Sequence, residues 1–141
     1  MYKKLIAGLI RAILVTVPAF GLNAAQCWFE MIEYKAYHSA FFTAYGVDVF
    51  YAALLTLAAV PVVFAAGWKL PPFLKLPLLT LVFLVTALWA NCFIFEARVT
   101  PVASFTPKEI LAYVLLYHQA YAVLATFLYY GLLRLIYRFL P

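Results

Sequence analysis

PLLTLVFLVTALWANCFIF, Pro77 to Phe95, is nineteen residues without one formal charge. As a helix it would rise about 28 Å, close to the ~30 Å hydrocarbon thickness of a bilayer. The rest of the chain agrees with it. Of 141 residues 69% are hydrophobic and 11% charged, and the mean hydropathy is +1.02, far outside the range of a soluble domain. Strand segments of alternating polarity are absent, so the apolar runs read as helices and not as a barrel. The expectation is an all-α, polytopic membrane protein, a four-transmembrane-helix bundle forming a single membrane domain over 1–141.

Working outward from Pro77, the spans are expected at about 5–28, 47–66, 77–95 and 110–133. The segment GWKLPP, Gly67 to Pro72, closes the second span because two consecutive prolines cannot continue a helix. The fourth has a capping signature in TPKE: Thr106 as N-cap, Pro107 at the first helical position and Glu109 three residues after the cap. The N-terminal MYKKLIAGLIRAILVTVPAF resembles a secretory signal. Its apolar run exceeds the ~7–15 residues usual for one and contains Arg11, so an uncleaved anchor is expected.

A net charge of +5 would suggest nucleic acid in a soluble protein. Here the basic residues form short pieces beside apolar spans and read as topology signals and contacts to anionic lipids at the cytoplasmic face. Lys3, Lys4, Arg11, Lys69, Lys75, Arg134 and Arg138 would share one side, against Lys35, Arg98 and Lys108 on the other. This distribution predicts both termini in the cytoplasm of a bacterial-type inner membrane. All the acidic residues, Glu30, Glu33, Asp48, Glu96 and Glu109, then fall outside. Arg11 reaches the inner interface by snorkelling, and Trp28, Trp68 and Trp89 read as interfacial anchors. In the first outer loop Tyr34, Tyr37, His38, Phe41 and Tyr45 recur at helical spacing, which predicts a short interfacial amphipathic helix.

Helix association in lipid favours small residues and turns polar side chains inward. On the first span Gly8, Ala12, Ala19, Asn23, Gln26 and Glu30 share a sector of about 60°. Ala52, Thr56, Ala59, Ala66 and Asp48 line the second, and Thr80, Leu84, Ala87 and Asn91 the third. On the fourth, His118 falls in line with Ala122 and Ala125, while Tyr113, Tyr117 and Tyr121 form a separate stripe free to face a partner. Counted from Ile110, His118 lies about eight residues, or ~12 Å, below the outer surface and just short of the midplane. Asn23, Gln26, Glu30, Asp48, Asn91 and His118 are therefore expected to make an outer polar cluster. It reads either as a hydrogen-bonded network fixing register or as an outward-opening pocket with Asp48, Glu30 and His118 as titrating members.

Chemistry-bearing patterns are otherwise missing from the sequence. No Ser-His-Asp grouping, glycine-rich phosphate loop or zinc signature occurs, and no cofactor or metal is expected. Cys27 and Cys92 fit no metal or redox spacing; they end the first and third spans on the same side, which admits a disulfide in an oxidising compartment or two separate buried thiols. The leading expectation is a non-enzymatic protein that binds another membrane protein, as an accessory subunit or an immunity-type protein against a membrane-inserting toxin, or that self-associates. The alternatives are a small proton- or ion-coupled transporter or channel, and a membrane subunit of an enzyme complex whose catalytic domain is on another chain.

Overall fold

The computed structural model describes residues 2–139, with the side chains of Lys3 and Lys4 outside the described set. It is all-helical: α1 (Tyr2–Glu30), a short 3-10 turn (Ile32–Ala36), α2 (Tyr45–Ala66), α3 (Pro72–Val99), α4 (Pro107–Tyr117) and α5 (Ala120–Phe139). Four of these, α1, α2, α3 and α5, are long and apolar enough to cross a membrane, which by length and composition makes the chain a multi-pass membrane protein. The four pack as a ring in which α1 and α3 each lie against both α2 and α5, and α4 rests on α3. One end of the bundle carries Glu30, Asp48, Arg98 and His118 and is called the acidic end; Arg11 and Lys75 lie toward the other, basic end.

Two apolar clusters divide the interior. Toward the basic end Val15, Val60, Phe64, Leu79, Phe83, Tyr129 and Leu133 close around Ala19, Ala87, Ala122 and Ala125, the small residues that let the helix axes approach. The Tyr129 ring stacks on Phe83, and its hydroxyl donates to the Val15 carbonyl at 3.2 Å. Toward the acidic end Cys27, Met31, Tyr45, Val49, Ile94, Phe95, Ile110 and Val114 form the second cluster. The inward faces read from periodicity hold on α1, where Gly8, Ala19, Asn23 and Gln26 are buried and Ala12 is half-buried, and on the first half of α2, where Asp48, Ala52 and Thr56 are buried; further along, Ala59 is half-buried and Ala66, expected inside, is exposed. On α3 the buried face centres on Phe83, Ala87 and Asn91, and Thr80 and Leu84 sit at its half-buried margin.

The third and fourth apolar segments run further than expected, to Val99 and Phe139, and three other differences have a physical reason. The third span starts at Pro72, not Pro77, because a proline at the first helical position has no orphan N–H to lose, whereas Pro77 gives up one backbone bond inside the helix. The first loop is not an amphipathic α-helix: after the 3-10 turn, residues 37–44 are irregular, and Tyr45 already belongs to α2. The side chain of Arg98 occupies that loop's carbonyls and holds it open, as described below. Most consequential, the fourth span is cut into α4 and α5 at His118 and Gln119.

The expected cap at the start of α4 is formed. Thr106 Oγ1 accepts from Glu109 N at 3.3 Å, and Glu109 Oε2 accepts from Thr106 N at 2.7 Å. Those bonds to Thr106 hold the Glu109 carboxyl below its ordinary range. Because its folded value is depressed, the stabilisation is present above the ordinary glutamate range and is lost as pH falls through that depressed value. Amide exchange in the first turn of α4 is accordingly expected to keep its protection at neutral pH and to lose it in acid. Glu109→Gln should show much weaker pH dependence there, and equal behaviour of the two proteins would refute the assignment.

Candidate functional site

The break in the fourth apolar segment builds the site. No proline or glycine marks it; tertiary partners satisfy the backbone groups that an unbroken helix would have paired internally. The His118 carbonyl accepts from Asn91 Nδ2 of α3 at 3.0 Å. The N-terminus of α5 is capped from another helix: Glu30 Oε2, on the last residue of α1, accepts from Tyr121 N at 2.5 Å. A carboxylate there also meets the positive end of the α5 dipole. The fourth span therefore begins at Ala120, and His118 lies at its acidic-end mouth and not near its middle.

The His118 side chain points into an open pocket of about 430 Å³ lined by Glu30, Ile32, Glu33, Tyr113, Tyr117 and His118 itself. Its Nε2 lies 2.9 Å from the Tyr34 hydroxyl and 3.3 Å from Glu33 Oε1, and its Nδ1 lies 3.9 Å from Glu30 Oε1. Both ring nitrogens thus face carboxylates, one buried and one at the rim: the side chain of Glu30 is 6% exposed and that of Glu33 60%. Burial pushes the Tyr34 phenol up from its usual range, with the Tyr113 hydrogen bond and the Glu33 charge acting the same way. Tyr34 consequently stays a neutral hydroxyl that can serve the imidazole as donor or acceptor. The rings of Tyr34 and Tyr113 flank the histidine at 5.4 and 5.5 Å.

Behind the pocket a polar chain runs into the bundle. Gln26 and Asn91 exchange side-chain hydrogen bonds at 3.3 Å, Gln26 Nε2 donates to Asn23 Oδ1 at 2.9 Å, and Asn23 Nδ2 donates to Thr56 Oγ1 at 2.6 Å. Thr56 continues to Thr86 at 3.2 Å. There the chain stops against the apolar cluster of the basic end. Asn23, Gln26 and Asn91 therefore support His118 from behind without lining the pocket, and the hydrogen bonds they share are the register network that a polar group in hydrocarbon requires.

Asp48 belongs elsewhere. Its carboxylate is fully buried and accepts from Arg98 Nε at 2.9 Å and Nη2 at 2.7 Å, with Thr43 Oγ1 donating to its other oxygen. Arg98 also donates through Nη1 to the Tyr37 carbonyl at 2.6 Å and the Lys35 carbonyl at 3.3 Å, and through Nη2 to the Thr43 carbonyl at 3.2 Å. Its guanidinium packs over the Tyr45 ring. Asp48 and Arg98 thus tie the first loop to the ends of α2 and α3, and the carboxylate assigned to a titrating pocket is instead half of a structural ion pair. Fifty positions separate the two residues, and nothing in the local pattern of either connects them.

The remaining expectations resolve as follows. Cys27 and Cys92 are both free thiols. Gln26 and Asn91 are the residues that meet across α1 and α3, and each cysteine is one residue, about 100°, further round its helix. The tyrosine stripe is divided by the break: Tyr113 is half-buried against Phe95, Tyr117 is exposed at the pocket rim, and Tyr121 stacks on Phe29. Glu33 and Tyr34, which complete the imidazole's surroundings, read in the sequence only as parts of a polar aromatic loop. Among the described residues, no group of three or more His, Cys, Asp and Glu has the geometry to hold a metal ion. No protein-family model matches the chain, and neither the curated proteins nor the solved structures contain a significant match to it.

Proposed function

We propose that this chain is a non-enzymatic protein of a bacterial-type cytoplasmic membrane, with both termini in the cytoplasm, that works by binding another membrane protein. The observation that carries the reading is the open pocket at the α4–α5 break, where two carboxylates, an imidazole and tyrosine rings converge. Its chemistry suits a basic side chain: Glu30 and Glu33 supply charge, and Tyr113 and Tyr117 offer ring faces to a guanidinium or ammonium. Tyr117, 65% exposed, stands at the rim as an aromatic anchor of the kind that dominates interfaces.

A photo-crosslinking residue at position 117 tests this in intact membranes. The expected result is one discrete adduct whose yield falls by up to about fivefold in Glu33→Gln, the size of an exposed ion pair. The same crosslinker at Val85, an exposed position on α3, is the control for lipid contact. Identical adducts at both positions, insensitive to Glu33→Gln, would overturn the reading.

A second reading, proton- or ion-coupled transport, is favoured by the polar chain that leads inward from His118 to Thr56 and Thr86. The packed apolar cluster beyond it weighs against a through-path in this conformation. Flux in proteoliposomes that disappears in His118→Ala would support transport, and absence of flux in the native protein would remove it.

A further inference from the structure

The pocket at the α4–α5 break holds one group that can itself become a cation, and that group already faces both carboxylates. His118 Nε2 lies 3.3 Å from Glu33 Oε1, and its Nδ1 lies 3.9 Å from Glu30 Oε1. A basic side chain entering the pocket has to reach the same two oxygens. Among the described residues, no lysine or arginine lines it.

Each element around the imidazole contributes differently. From α1, Glu30 is buried and fixed: its Oε2 accepts from Tyr121 N, so Oε1 cannot turn away from the ring without uncapping α5. From the turn that follows α1, Glu33 stands exposed at the rim, and the Tyr34 hydroxyl lies 2.9 Å from Nε2. From α4, Tyr113 flanks the ring and Tyr117 forms the outer wall. From α3, Asn91 bonds the His118 carbonyl and not its ring. The first turn of α5 brings no acidic residue. Two cations of this end are engaged elsewhere, Arg98 with Asp48 and Lys35 over the Trp28 ring.

A neutral imidazole carries one N–H and leaves the charge of the two carboxylates uncompensated. A protonated one carries an N–H on each nitrogen, faces Glu30 and Glu33 as a donor to both, and removes one unit of the pocket's negative charge. The Tyr34 hydroxyl suits either form, accepting from Nε2 when that nitrogen is protonated and donating to it when it is not. An incoming guanidinium or ammonium therefore finds two available carboxylates in one protonation state. In the other it finds a like charge beside its own target.

We infer that the pocket is an acid-released cation site, in which a proton on His118 and the basic side chain of the partner compete for Glu30 and Glu33. The partner is held while the imidazole is neutral and let go when it is protonated. The inference rests on the reading of this pocket as the partner site and adds its regulation, by the pH of the compartment that the acidic end faces. Linkage fixes the signs. A cation bound beside His118 lowers the pH at which the imidazole takes up its proton, and by reciprocity the cation's affinity rises with pH.

The chain has two histidines, and the second is an internal control: His38 lies in the first loop and lines a different cavity, with Lys35 and Arg98. The full chain, isotopically labelled and held in lipid nanodiscs, is titrated by NMR between about pH 8 and about pH 5, the range in which imidazole changes charge. The probe is N-acetylargininamide, and N-acetylcitrullinamide is its uncharged counterpart. The arginine probe is expected to lower the His118 midpoint by about 0.7 pH unit, a fivefold effect of the size of an exposed ion pair, and to leave His38 unmoved. The citrulline probe should move neither, and Glu33→Gln should cut the His118 shift by about half or more. In intact membranes the adduct from position 117 should fall about fivefold over the same acidification, and should not fall in His118→Gln. An arginine probe that perturbs the Ile32 and Tyr117 resonances while the His118 midpoint stays or rises would overturn the competition and leave the partner site standing. A probe that perturbs neither resonance at any concentration that keeps the protein folded would overturn the cation site, and the inference with it. An adduct that falls in acid equally in His118→Gln would assign the pH dependence to another group and overturn the inference.

Discussion

Arg98→Ala is expected to lower the stability of the detergent-solubilised protein by about 3–5 kcal/mol, the cost of leaving a buried charge without its partner. Asp48 is fully buried and takes two hydrogen bonds from Arg98, so truncating the arginine strands the carboxylate in a low-dielectric interior. Asp48→Ala should be comparably damaging for the converse reason. The double replacement of both residues by leucine should recover much of the loss, since a buried pair exchanged for apolar side chains is often neutral. It should not restore the first loop, because Arg98 also donates to the carbonyls of Lys35, Tyr37 and Thr43. Melting temperatures of the three variants, with hydrogen exchange over residues 35–43, decide the matter. Single variants that melt with the native protein would disprove the structural role of the pair.

Asn91→Ala should have the next largest effect, about 2 kcal/mol for two to three interhelical hydrogen bonds at ~0.6–1 kcal/mol each. Its particular consequence is local. Asn91 supplies the donor for the His118 carbonyl and exchanges bonds with Gln26, so its loss unpins the α4–α5 break from α3. Amide exchange at residues 118–121 should accelerate, and crosslinking from position 117 should fall with it. Asn23→Ala is the control: it removes the bonds to Thr56 and Gln26 deeper in the bundle and leaves the break's partners in place. If both variants perturb residues 118–121 equally, the break is not held by Asn91 and the pocket does not depend on that contact.

The two ends of the bundle divide the chemistry between them. Carboxylates, imidazole and tyrosines gather at one end, and cations with the Tyr137 hydroxyl at the other, with packed apolar side chains between them.

Hydropathy and period alone determined that the chain is helical, that four segments are long and apolar enough to cross a membrane, and most of the small residues that face inward, Ala66 being an exception. A charge-free run near 30 Å has one stable conformation in hydrocarbon, where every backbone group must be paired within the segment. The same logic placed Asn23, Gln26, Asn91 and His118 on inward faces, since a polar side chain in lipid turns toward a partner. Tertiary structure alone decided which partners they took. His118 sits in YHQA, where nothing local breaks a helix, and the break exists because Glu30 and Asn91, from two other helices, satisfy the backbone groups that it frees. Asp48 pairs with Arg98 across fifty positions, and Lys75 shares a cavity with Arg11, Phe64 and Tyr137 where four helices converge. Such pairings depend on how helices are rotated and shifted against each other, and a one-dimensional pattern carries the face of each helix but not the neighbour that the face will meet.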